Sequence, residues 1–224
     1  MSRTRVAVLV SGRGSNLQAL LDALGPADAP GRIAVVISNR SDAGALERAG
    51  SAGIPTAVVG ADGQDAAAIL AALQGHAAQL VVLAGYLKRV PARVVQTFAG
   101  RMLNIHPALL PAFGGAGMYG HRVHEAVLAS GARLSGVTVH LVDEQFDHGP
   151  IVAQWPVPVR PGDTADSLAA RVLAVEHRLL PAVVRAACVQ IAGGSDVRPL
   201  SSAADAFVLA THPEPTFTDA LVPA

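Results

Sequence analysis

The chain has 224 residues, room for one compact α/β domain or two small ones. Its 17 Lys and Arg balance 17 Asp and Glu, so neither a basic face for duplex DNA nor an acidic skin for a basic partner is implied. Hydrophobic residues at 51% exclude disorder of the whole chain, and aromatics at 4% disfavour a stacking platform for single-stranded nucleic acid. The only cysteine, Cys188, leaves no intrachain disulfide and no cysteine-built zinc or iron–sulfur site.

Residues 6–10 are a short apolar run closed by Ser11-Gly12, the pattern of a strand buried on both faces. The run is too short for a signal segment or a membrane span, so a cytoplasmic protein with no membrane partner is expected. Ser15 with Gln18 predicts a capping box, Leu17, Leu20, Leu21 and Leu24 form the helical stripe, and Gly25-Pro26 stops it. Residues 33–37 read as a second buried strand, after which Ser41 or Asp42 caps a helix running toward Gly53. Segments 54–59, 64–73 and 80–84 continue the rhythm as strand, helix and strand. Such alternation predicts an α/β fold with a Rossmann-like, mainly parallel sheet flanked by helices.

Pro91 suits the first turn of a short helix ending near Phe98, and Met102–His106 is the next strand. Residues 107–120 hold two prolines and four glycines, and a loop this long in a compact domain is usually functional or mobile. A helix near 123–130 follows, then an alternating strand over 137–142 with one polar face. Pro156 and Pro158 confine the extended segment 151–159 to a sheet edge. Residues 163–187 form a long helical pattern capped at Asp163 or Thr164, which Pro181 is expected to kink or split. Residues 1–192 therefore read as one domain and 193–224 as a tail.

Three places can carry chemistry. The turn Ser11-Gly12-Arg13-Gly14-Ser15-Asn16 joins a strand to a helix whose N-terminus offers unpaired N–H groups to an anion. It lacks the Gly-Lys-Ser/Thr ending of an NTPase phosphate loop, and Leu17 stands where a dinucleotide fingerprint needs its third glycine. Either Gly14, Ser15 and Asn16 hold a phosphate, or the glycines serve turn geometry alone. Strand alternation puts Asn104 and His106 on one face, and Pro107 keeps His106 extended. An amide beside an imidazole can polarise a carbonyl and move a proton, or merely satisfy local backbone groups. The acidic turn from Asp143 to Pro150 could bring Asp147 beside His106 and raise the imidazole's pKa by charge proximity. His121 and His124 have no evident third ligand, so no metal is expected.

Taken together, Ser11-Gly12-Arg13-Gly14-Ser15-Asn16-Leu17, Leu83-Ala84-Gly85-Tyr86, Leu103-Asn104-Ile105-His106-Pro107 with Leu109-Leu110-Pro111, and Asp143…Asp147-x-Gly149-Pro150 resemble the folate-dependent formyltransferases. The first motif and the run Tyr119-Gly120…Val123-His124-Glu125-Ala126-Val127-Leu128 are most similar to the branch acting in purine synthesis, and the resemblance spans residues 5–190. It implies transfer of a formyl group from the co-substrate 10-formyltetrahydrofolate to the amine of phosphoribosylglycinamide. Residues 1–100 would then be the phosphate-binding half and 101–192 the transfer half.

By the matching motifs, Asn104, His106 and Asp147 would be catalytic. Gly14, Ser15 and Asn16 would hold the substrate phosphate, and Leu173, Ala174, Val175 and Glu176 would face the substrate, Glu176 most directly. The backbone of Leu87, Lys88, Arg89 and Val90 would read the pteridine, while Asp143, Glu144, Gln145, Phe146 and Asp147 close over it. The resemblance also implies that a protonated His106, kept charged by Asp147, stabilises the oxyanion with Asn104. Gly114 stands where relatives commonly carry proline, which predicts a more flexible loop, and Gln64 stands where some place an arginine near the folate tail. The expected partners are small molecules, without nucleic acid or membrane, for a monomer or homodimer.

Relatives acting on initiator methionyl-tRNA carry an added C-terminal domain, and formyltetrahydrofolate hydrolases an added N-terminal one. Neither is expected in this chain. A non-catalytic phosphate-binding module needs only the first motif, and a nicotinamide oxidoreductase is disfavoured by the missing third glycine and ribose acid.

Overall fold

The computed structural model describes residues 3–201 and 222–223. Of the tail expected over 193–224, residues 202–221 and 224 lie outside the described residues. The elements in chain order are β1 (Thr4–Val10), α1 (Ser15–Leu24), β2 (Gly31–Ser38), α2 (Gly44–Ser51), β3 (Thr56–Val58), α3 (Ala66–Gly75), β4 (Leu80–Leu83) and α4 (Ala92–Thr97). There follow β5 (Met102–His106), α5 (His121–Ala129), β6 (Leu134–Leu141), β7 (Ile151–Pro158) and α6 (Ala165–Ala192), then the short pair β8 (Leu200–Ser201) and β9 (Val222–Pro223).

Seven strands make one sheet in the order β3-β2-β1-β4-β5-β6-β7. Pairings among β1 to β5 are parallel, while β6 runs antiparallel to both β5 and β7. The proline-bearing β7 sits at an edge, as its missing N–H groups require. Two apolar cores cover the two faces. Val6, Val8, Val10, Leu103 and Ile105 point into one, with α1 and α6. Ala7, Leu9, Val81, Leu83 and Met102 point into the other, with α3 and α4. Period-two alternation of buried side chains therefore accounts for the runs that carry no polar face.

Sheet order reverses direction between β1 and β4, the switch point where open α/β sheets form a crevice beyond their strand ends. The loops after β1, β4 and β5 all emerge there, and Ser11 ties two of them together. Its hydroxyl donates to Asn39 Oδ1 at 2.7 Å and accepts from the Leu87 N–H at 3.0 Å.

Three local expectations are corrected. Ser15 is the first helical residue rather than the cap of α1; Gly14 caps it at φ 77 with no side-chain hydrogen bond, and Gln18 bonds Asp22 instead. Helix α2 is capped by Ala43, because Asp42 is engaged in a 2.7 Å ion pair with Arg40. Pro181 does not split α6, which runs unbroken for 28 residues. The proline removes one helical hydrogen bond, but buried Leu179, Leu180, Val183 and Val184 hold both halves against the core. Thr164 caps that helix in a reciprocal box with Ser167, as one of the two expected alternatives.

Candidate active site

Asn104 and His106 share a face of β5, and antiparallel pairing sets His140 directly opposite Asn104 and Thr138 opposite His106. Their neighbours Leu103, Ile105, Val137 and Val139 all turn into the α1/α6 core, so alternation sends the polar set to the other side. The polar face expected on the sixth strand is thus real, but it is buried rather than solvated: Thr138 is 0% and His140 2% exposed.

The Asn104 amide nitrogen donates to His140 Nε2 at 3.0 Å and to Asp147 Oδ1 at 3.3 Å. His140 Nδ1 donates to the Leu141 carbonyl at 2.8 Å. A carbonyl only accepts, so the His140 proton sits on Nδ1 and Nε2 offers its lone pair to Asn104. His106 Nε2 likewise donates to the Phe113 carbonyl at 2.8 Å, which turns Nδ1 toward Asp147 Oδ2, 3.4 Å away. Asp147 takes a left-handed backbone, φ 53, and its Oδ2 also accepts from the Gly115 N–H at 2.9 Å. The residues Asn104, His106 and Asp147 meet, joined by His140. Sequence reading passed over His140, although its place two residues after Thr138 on the alternating strand marked it for this face.

Charge states differ from expectation at one of these groups. Burial pushes the His106 imidazole below its ordinary value; Asp147 and the Phe113 carbonyl pull the other way without overcoming it. His106 therefore rests neutral near pH 7, not protonated as the resemblance implied. Burial also works to raise the Asp147 carboxyl, but at the acid pH where that carboxyl titrates His106 is charged, and His140, this charge and the Gly115 N–H outweigh burial and hold the group below the usual carboxylate value. The resting cluster is a neutral imidazole facing a carboxylate.

Asn16, at the start of α1, donates its amide to Glu176 Oε2 of α6 at 2.6 Å. Burial pushes the Glu176 carboxyl up against the opposing bond from Asn16. One cleft of about 250 Å³ borders both this pair and the Asn104–His106–His140–Asp147 cluster. Leu87, Lys88, Arg89 and Val90 also line it, as do Asp143, Gln145 and Phe146 of the acidic turn and Gly115, Gly117, Met118 and Tyr119 of the glycine loop.

Other expected positions stand outside that lining. Gln64 donates to the Arg89 carbonyl at 3.1 Å, bracing the wall from behind. The Glu144 carboxylate accepts from Gln96 at 2.8 Å and its carbonyl accepts from Arg89, which joins the acidic turn to the 87–90 segment. Gly14 and Ser15 lie beside the cleft at the head of α1, and Leu173, Ala174 and Val175 occupy the turn of α6 before Glu176, with Ala174 exposed. Among the described residues no group of His, Cys, Asp and Glu has the arrangement of a metal site. No helix among them is long and apolar enough to cross a membrane.

A family model described as formyl transferase matches residues 4–184. The chain belongs to the formyl transferase family. It is 45% identical over 192 residues to the chloroplastic phosphoribosylglycinamide formyltransferase of Arabidopsis thaliana, covering 83% of this chain but only 66% of that protein. Against phosphoribosylglycinamide formyltransferase of Haemophilus influenzae the identity is 41% over 188 residues, 81% of this chain and 85% of the relative. The crystal structure of the enzyme of that name from Anaplasma phagocytophilum superposes with a TM-score of 0.79 at 40% identity, covering 84% and 88% of the two chains. The seven-stranded, mostly parallel sheet is the family's fold.

Proposed function

We propose that this chain transfers the formyl group of 10-formyltetrahydrofolate to the glycinamide amine of phosphoribosylglycinamide, yielding formylglycinamide ribonucleotide and tetrahydrofolate in purine biosynthesis. What supports this is one cleft bordered both by an amide–imidazole–carboxylate cluster and by the Asn16–Glu176 pair, with the glycine-rich turn leading into α1 immediately before Asn16. The first suits acyl transfer and the second a phosphorylated sugar. The names carried by the plant and bacterial relatives agree with that pairing of chemistries.

In the reaction the amine nitrogen bonds to the formyl carbon, charge collects on the formyl oxygen, and the carbon–nitrogen bond to the folate breaks. The proton lost by the amine ends on the folate nitrogen. Neutral His106 and ionised Asp147 face each other across 3.4 Å, ready to lodge that proton between Nδ1 and Oδ2. Once lodged, it makes His106 a cation beside the developing oxyanion. Asn104 supplies an amide hydrogen to the same oxygen, surrendering one of its bonds to His140 or Asp147, while His140 keeps the amide turned to the site.

Gly14, Ser15 and Asn16 hold the phosphate through backbone N–H groups, and Glu176 meets the sugar or the amide beyond it, with Leu173, Ala174 and Val175 completing that side. The backbone of Leu87, Lys88, Arg89 and Val90 reads the pteridine. Asp143, Glu144, Gln145, Phe146 and Asp147 close over it, and Gln64 supports the wall through Arg89. On this reading the chain works in the cytoplasm on small molecules, without metal, nucleic acid or membrane, as a monomer or homodimer.

The test is a spectrophotometric assay of 10-formyl folate with and without phosphoribosylglycinamide. Deformylation that requires the amine, and is lost in His106→Ala, is the expected result. Deformylation that ignores the amine would instead mark a hydrolase.

A further inference from the structure

The loop between β1 and α1 is not held by its own turn alone. The Gly12 carbonyl accepts from the Ala45 N–H at 3.1 Å, and the Arg13 carbonyl accepts from Arg48 Nε at 2.9 Å. Both donors belong to α2. Arg48 also reaches across to Gln18 of α1, Nη1 to Oε1 at 3.2 Å, so one guanidinium spans loop and helix. Carbonyl and N–H of a trans peptide point in opposite directions. Turning the Gly12 and Arg13 carbonyls onto α2 therefore turns the next two N–H groups, those of Arg13 and Gly14, away from it. Two successive N–H groups with a common direction, followed by the free N–H groups at the head of a ten-residue helix, make an anion-binding nest. Beside it, the nine-tenths-buried Asn16 lines the cleft with an Oδ1 that has no protein partner.

We propose that Arg48 is a positioning residue for the substrate phosphate: by latching the Arg13 carbonyl to α2 it fixes the direction of the loop's N–H groups, without itself touching the reacting atoms. The inference rests on the phosphate reading of this loop. Without the guanidinium, the Arg13–Gly14 peptide is free to rotate about its flanking bonds, a motion that glycine on one side makes cheap. A carbonyl dipole then competes with N–H groups for the same space, and anion affinity falls. Lysine retains the charge but not the planar fork that serves Arg13 and Gln18 together, so it restores only part of the effect.

The test compares wild type, Arg48→Ala and Arg48→Lys in steady-state kinetics with the full chain. In Arg48→Ala, KM for phosphoribosylglycinamide is expected to rise about tenfold, the scale of one charge-assisted hydrogen bond, with kcat and the folate KM within about twofold. Arg48→Lys is expected to fall between the two. With the substrate lacking its phosphate, ribosylglycinamide, wild type and Arg48→Ala should have equal kcat/KM. Inorganic phosphate, titrated as a competitive inhibitor, should weaken about tenfold in the variant. An unchanged KM, or an equal loss with the unphosphorylated substrate, overturns the latch while leaving the formyl-transfer reading intact. Failure of the wild type to use phosphoribosylglycinamide overturns that reading instead.

Discussion

Asn16 and Glu176 lie 160 positions apart and meet in one buried hydrogen bond of 2.6 Å. The bond fastens the head of α1 to the middle of α6 at the edge of the cleft. The carboxyl it holds is buried, and burial drives that carboxyl up against the opposing bond from Asn16. Asn16→Ala removes its donor and is expected to cost about 1–3 kcal/mol in urea unfolding, the penalty of a stranded buried polar group. Glu176→Gln keeps an acceptor for Asn16 and should unfold near the wild-type midpoint while still weakening substrate binding. Equal destabilisation by both variants would mean that this contact is not what holds the two helices together.

Removing one donor from an oxyanion site costs about 2.7–4 kcal/mol of barrier, or roughly two to three orders of magnitude in kcat. Asn104→Ala and His106→Ala should each show a loss of that size with the circular-dichroism spectrum unchanged. His140 acts on the same amide from behind. His140→Ala is therefore expected to lose less than Asn104→Ala, and the double variant little more than Asn104→Ala alone, because the two share one interaction. Fully additive losses would separate His140 from Asn104.

Three imidazoles, those of buried His106 and His124 and half-buried His177, give stability a definite pH dependence. His106, His124 and His177 are each held below the ordinary value of 6.5, in every case chiefly by burial. The unfolded chain takes up these protons first, so their contribution is complete above pH 6.5 and falls as pH drops through it. Asp147, held below 3.8, adds a second loss at more acid pH. Glu176 has the opposite sign: its raised carboxyl favours the folded state below 4.5, and that contribution disappears as pH rises through its folded value. Urea midpoints should therefore rise from pH 5 to pH 7, and rise more steeply in Glu176→Gln, where the opposing group is gone. A flatter profile in that variant would contradict the assignment.

Gly14 sits at φ 77, and a Cβ there would lie 2.6 Å from the Ala45 Cβ and 2.8 Å from its Cα. Neither the left-handed backbone nor the backbone of α2 can yield cheaply. Gly14→Ala is expected to destabilise by about 1–3 kcal/mol or more and to raise KM for the phosphorylated substrate. Gly12→Ala, which meets nothing within 4 Å, is the matched control and should unfold close to wild type.

Much of this architecture was legible in the chain itself. Strands β1, β2 and β4 are legible because burial on both faces leaves apolar runs with no alternation to confuse them, and β5 because Asn104 and His106 alternate with apolar residues. The candidate site is legible one residue at a time: Asn104 and His106 from strand parity, Asp147 from its turn, Asn16 from the first motif, and Glu176 from the family resemblance alone. Their contacts are not, since a bond spanning 160 positions is fixed by how α6 packs on α1. For His140, alternation marks the face, but its place opposite Asn104 depends on antiparallel register with β5, which no local pattern announces. The protonation of His106 is hidden from the sequence for a similar reason. Charge proximity can be guessed from sequence, but the burial that overrides it comes only from the assembled fold.

The most direct test of formyl transfer follows the carbon itself. Purified protein is given 10-formyltetrahydrofolate labelled with carbon-13 in the formyl group, together with phosphoribosylglycinamide, and the products are read by NMR. The account predicts label in the formamide of formylglycinamide ribonucleotide, none of it in Asn104→Ala or His106→Ala on the same timescale. Label released as free formate, or left on the folate by folded wild-type protein, would contradict it.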